Sequence, residues 1–131
     1  MRTIVNLIAA VALTATVTMA QALQPIANVI DAPIVTTSGK TLTSEQIKQS
    51  ISLAGAALGW KVVEEKPGLL IATILLRKHQ AIIEIPYTST KYSITYKSSI
   101  NLDEAGGQIH RNYNGWILNL TKAINNQLSS S

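Results

Sequence analysis

The residues of this chain able to do acid–base or metal chemistry are few. His79 and His110 are the only imidazoles, and the chain has no cysteine. Neither an HExxH pair nor any His/Cys cluster with metal-ligand spacing occurs, so no metal and no cofactor is expected. A nucleophilic site can be drawn from Ser98 or Ser99, Asp103 and His110, because the loop over 98–108 lies next to the start of the last predicted helix. Such a site needs a nucleophile, a base and a group that orients the base. No GxSxG elbow supports it, and serines at a strand end or acids ahead of a helix have ordinary capping and dipole roles. A small hydrolase on Ser99, Asp103 and His110 is therefore the second reading, behind a protein that is not an enzyme. Asn101–Gly106 echoes a calcium loop, but Ala105 stands where an oxygen ligand is needed and Asn112 where the closing Glu belongs. Asn119-Leu120-Thr121 matches a glycosylation acceptor inside a predicted helix, a chance match.

The charged side chains form a second group. The formal net charge is +4, too weak and too scattered for a nucleic-acid partner. Arg77, Lys78 and Lys91 gather at predicted turns, where they are solvated or suit contact with anionic envelope polymers.

The N-terminus supplies the compartment. Met1 and Arg2 precede an uncharged stretch from Ile4 to Ala20, which ends in Ala20-Gln21-Ala22. Positive, apolar and small-x-small in that order is the pattern of a cleaved secretory signal. Residues 1–22 are expected to be removed after Ala22, leaving no stable membrane span and a periplasmic or extracellular domain. Asn6, Thr14, Thr16 and Thr18 dilute the stretch below what a spanning helix needs. Cutting 22 of the 131 residues leaves 109, with ten Lys plus Arg against seven Asp plus Glu. That length suits one domain with one core, and without cysteine only packing can hold it.

Periodicity orders the remainder. Residues 23–42 contain Pro25, Pro33 and Gly39 and form an extended lead-in, with a short strand possible around Val29–Val35. The domain proper is 43–128. Thr43 and Gln46 make a capping box, Leu42 is placed to staple against Ile47, and a helix follows over 44–58. Its apolar residues Ile47, Ile51, Ala54 and Leu58 share a face, and Gly59 ends it. From Trp60 to Ser99 the period becomes two, and turns at Pro67-Gly68, Lys78–Gln80 and Thr88–Lys91 divide four strands. Pairing Tyr87 with Tyr92, Ile85 with Ile94 and Ile83 with Tyr96 places them, with Leu70, Ala72, Ile74 and Leu76, on one inner face. A second helix over 107–128 carries the stripe Ile109, Tyr113, Trp116, Leu120 and Ile124, with Ile117 beside them and Trp116 expected at the centre of the core. The fold class is α+β, a two-layer sandwich of helix, four-stranded antiparallel meander and helix.

The runs YSITYKSSINL and IHRNYNGWILNLTKAI, with LLRKHQAIIEIPY before them, resemble a group of small exported proteobacterial proteins and lipoproteins of unknown function. The likeness covers about 60–126. It implies export without an activity, and the missing lipid-attachment cysteine implies a form without a lipid anchor.

The outer sheet face is where a function is sought. Leu69, Ile71, Leu75 and Ile82 point away from the helices, among Thr73, Glu84, Thr95 and Lys97. A face open to water alternates to polar residues more completely than this. Either the lead-in, with Ile26, Val29, Ile30, Ile34 and Val35, folds across it, or the face meets a partner. The expected function is a non-catalytic binding or scaffolding protein whose contact surface is Ile71, Leu75, Ile82, Glu84 and Lys97. Its partner is an envelope protein or a second copy. A carrier holding an apolar ligand between helices and sheet is a further alternative.

Overall fold

A computed structural model describes residues 23–131; the expected signal segment 1–22 lies outside the described residues. The elements in chain order are β1 (Leu23–Pro25), β2 (Val29–Pro33), α1 (Ser44–Ala57), β3 (Trp60–Lys66), β4 (Leu69–Leu76), β5 (His79–Pro86), β6 (Lys91–Ile100), β7 (Gln108–His110) and α2 (Arg111–Ser129).

Local chemistry sets the ends of α1. The Thr43 hydroxyl accepts the Gln46 amide at 3.1 Å, and the Gln46 side-chain oxygen accepts the Thr43 amide at 2.9 Å, so two otherwise orphaned donors are satisfied. Leu42 and Ile47 are both buried beside this cap, as a hydrophobic staple requires.

The meander β3–β6 is antiparallel throughout, and β2 extends it to five strands in the order β2-β6-β5-β4-β3. Gly68, at φ 84°, makes the turn from β3 to β4 in the left-handed region that glycine tolerates. Tyr87 bridges Tyr92 and Ile83 pairs with Tyr96, the register expected from a four-residue loop. The inner face is then Leu70, Ala72, Ile74, Ala81, Ile83, Ile85, Tyr87, Tyr92 and Ile94, all buried. Leu76, expected on this face, shares that parity at the end of β4 but is half exposed.

Both helices cover this one face and touch each other, giving the α+β two-layer sandwich. The lead-in does not fold across the outer face. Its β2 segment pairs along the free edge of β6, because the unpaired N–H and C=O groups there need partners. Ile26, Val29, Ala32 and Ile34 pack against the margin of the core. Upstream, β1 pairs with β7, and Asn114 clamps the junction. Its amide donates to Pro25 O at 2.9 Å and Gln24 Oε1 at 3.2 Å, while its Oδ1 accepts the Ala27 amide at 3.0 Å.

Two expectations for α2 are corrected. Ile109 belongs to β7 and the helix begins at Arg111, capped by His110, whose Nδ1 accepts the Asn112 amide at 3.1 Å. The buried stripe is Tyr113, Ile117, Leu120, Ile124 and Leu128, so Ile117 takes the central place and Trp116 sits half-buried at the rim. The two positions differ by about 100° around the helix axis. Docking beside α1 selects the rotation that buries Ile117.

Candidate functional site

The outer face follows from the register. Residues directly opposite in an antiparallel pair share a face, so one row runs Val63, Ile71, Glu84 and Thr95, the next Lys61, Thr73, Ile82 and Ser98, and a third Leu75, Gln80 and Ile100. Ile71, Ile82 and Glu84 are partly covered by their neighbours. Leu75 is 70% exposed, Ile100 56% and Val63 52%. Val63 and Ile100 enlarge the expected surface. Val63 reaches it because the β3–β4 register shifts between Glu64 and Lys66, leaving Glu65 as an extra residue and setting Val63 opposite Ile71. Ile100 reaches this face through a bulge: the register shifts between Ile82 and Ile83, leaving Lys97 as the extra residue and setting Ser98 opposite Ile82. No alternation of residue types announced that insertion.

Among the described residues Glu84 has no ion-pair partner, and neither do Lys61, Lys66 and Lys97. The cations that are paired lie elsewhere. Lys48 of α1 meets Glu64 at 2.8 Å, and this hydrogen bond, with the charges of Glu45 and Glu64, raises the Lys48 pKa.

The basic turn residues part company. Arg77 and Lys78 form the exposed tip of the β4–β5 hairpin, with Arg77 at a left-handed φ of 59°. The tip is braced from the β6 end, where Asn101 Nδ2 donates to Lys78 O at 2.6 Å and Asn101 O lies 2.8 Å from His79 Nδ1. Lys91 is tied to Asp31 at 3.7 Å on the opposite end of the sheet.

Ser99, Asp103 and His110 are not joined by hydrogen bonds among the described residues. The Ser99 hydroxyl is 2.7 Å from the Tyr96 phenol, His110 spends Nδ1 on the helix cap, and Asp103 is exposed in a left-handed turn position. Ser98 stands on the outer face. No cluster of three or more His, Cys, Asp or Glu residues able to hold a metal ion occurs among the described residues.

Two tyrosines lie between sheet and helices. Tyr92 donates its hydroxyl to Asn125 Oδ1 at 2.6 Å, and burial pushes its pKa up to about 12. Tyr113 packs edge-on against Tyr96 with ring centroids 5.6 Å apart. Its hydroxyl is buried without a hydrogen-bond partner among the described residues, and burial first, then the Tyr96 phenol, drive its pKa still higher. At the seam between the layers a hollow of about 60 Å³ is lined by Leu58, Trp60, Ile74, Trp116 and Asn119. A carrier of apolar ligands uses about 300 Å³ or more. A wider depression of about 530 Å³ opens on the solvent side of α2, between Gln24, Arg111, Asn112, Gly115, Trp116 and Asn119. Spacing did not reveal it, because Gln24 reaches α2 only through the β1–β7 pairing.

Comparison with protein-family models, with curated proteins and with solved structures finds no match to this chain.

Proposed function

We propose that the protein is a non-catalytic exported protein, periplasmic after removal of residues 1–22, that scaffolds by self-association through its outer sheet face. Support for export is the order of charge, apolar stretch and Ala20-Gln21-Ala22; no described helix is long and apolar enough to cross a membrane. The observation that carries the self-association reading is the charge pattern on an aliphatic face. Glu84 lies unpaired beside Ile71 and Ile82, while Lys61, Lys66 and Lys97 stand unpaired around it among the described residues. Two such faces related by a two-fold axis bring each carboxylate to the other copy's lysines, the self-complementarity that an isologous interface requires.

The test is sedimentation velocity on the mature chain over a concentration series. Leu75 leaves 70% of its surface open, so covering it in a dimer is worth about 1.5 kcal/mol per copy, counted twice by symmetry. Leu75→Thr should therefore weaken association about a hundredfold, and the pair Ile71→Thr with Leu75→Thr should abolish it while the monomer stays folded. A parent that remains monomeric at high concentration, or a double variant that unfolds or associates unchanged, overturns the reading. Retention of a different envelope protein by a monomeric parent would move the face to a hetero-complex.

A further inference from the structure

The depression on α2 carries recognition chemistry that the fold does not use. Arg111, Asn112 and Asn119 turn their side chains into or around it without any hydrogen bond or ion pair among the described residues. Asn112, Trp116 and Asn119 succeed one another at i, i+4 and i+7, so they stand on one stripe of the helix. The wall opposite is Gln24, fixed by Asn114. The Trp116 ring is half-buried, backed by Leu58, Trp60 and Ile74 across the seam.

Gly115 between them is the telling residue. A glycine inside a helix costs about 1 kcal/mol relative to alanine. At Gly55 in α1 packing demands it, since an added Cβ would lie 2.7 Å from Val62 Cγ2. At Gly115 no described residue lies within 4 Å of an added Cβ, and the backbone is ordinary helix. Neither packing nor conformation requires the glycine there. What its missing side chain does achieve is an open floor, with bare helix backbone between a tryptophan and two carboxamides.

We propose that this depression is a saccharide-binding site. A carboxamide presents an acceptor and two donors side by side, which suits vicinal hydroxyls that both give and take hydrogen bonds. The indole offers an apolar ring face with a polar edge, the complement of a pyranose with its C–H face and hydroxyl rim. Arg111 is the only charged residue in the lining among the described residues, which directs the site to neutral or uronate-bearing sugars. The depression is shallow and open to solvent, so it would hold a saccharide along one face rather than enclose it.

Tryptophan fluorescence reports it directly, because Trp60 is 3% exposed and gives a constant background while Trp116 borders the depression. The mature chain is titrated with cellotetraose, N-acetylchitotetraose and tetragalacturonate, and with tetra-alanine as a peptide control. At least one saccharide should shift the emission saturably, and the three arms separate neutral, N-acetylated and acidic glycans. Gly115→Leu fills the floor and should weaken that binding about tenfold or more with a melting temperature no lower than the parent's. Asn119→Ala should weaken it several-fold, and Trp116→Phe should remove the emission change. No response to any saccharide, affinity unchanged in Gly115→Leu, or a response to tetra-alanine alone overturns the proposal.

Discussion

The same substitution should act with opposite sign in the two helices. Gly55 and Gly115 both lie inside helices, so replacement by Ala recovers about 1 kcal/mol of backbone propensity at either site. At Gly115 that is the whole effect, because the new methyl meets open space; Gly115→Ala should stabilise by about 1 kcal/mol. At Gly55 the new Cβ would sit 2.7 Å from Val62 Cγ2 and 3.4 Å from Trp60 Cβ. Val62 is β-branched and stiff at χ1, so relief must come from moving α1 off β3. Overpacking of this kind costs about 1–3 kcal/mol, which offsets the propensity and leaves Gly55→Ala destabilising by up to about 2 kcal/mol. Val62→Ala removes the obstructing methyl group, and in that background Gly55→Ala should become stabilising. Urea denaturation of the four proteins in this double-mutant cycle, with Gly115→Ala as the reference, measures each quantity. A coupling between positions 55 and 62 within about 0.3 kcal/mol of zero, or a parent-background Gly55→Ala as stabilising as Gly115→Ala, would refute the close approach of α1 to β3.

Two further outcomes are expected. Tyr92 and Tyr113 prefer the neutral phenol when folded, so their contribution is complete below about pH 10, the ordinary tyrosine value. It is withdrawn as the pH climbs to about 12 and beyond; denaturation midpoints should fall over that interval, and Tyr92→Phe should flatten the fall. In the core, Tyr113→Ala should cost about 3–5 kcal/mol because the ring is fully buried, whereas Trp116→Ala, at the rim, should cost clearly less; thermal melts giving the reverse order would refute the helix rotation.

What the residues determined by themselves was local. Thr43 and Gln46 cap α1 because a capping box is closed within four residues, and the alternation from Leu70 through Ile94 selects a buried face because a strand has period two. Short turns then carried that face from one strand to the next, so the two-layer α+β arrangement was legible before any coordinates. Tertiary structure decided whatever depended on partners distant in the chain. Val29–Pro33 pairs with β6, across more than half the described chain, to satisfy an open edge. The bulge at Lys97 brings Ile100 to the outer face, although residue types there alternate without a mark. Ile117 and Trp116 are equally apolar candidates for the centre of the core, and only the direction from which α1 and the sheet approach separates them. His110, a candidate base by residue type, is bound as a helix cap by the place where β7 stops. The depression with its unpartnered amides likewise needed Gln24 laid against α2. Local periodicity fixes which groups can face the same way; long-range packing fixes the angle at which those faces meet.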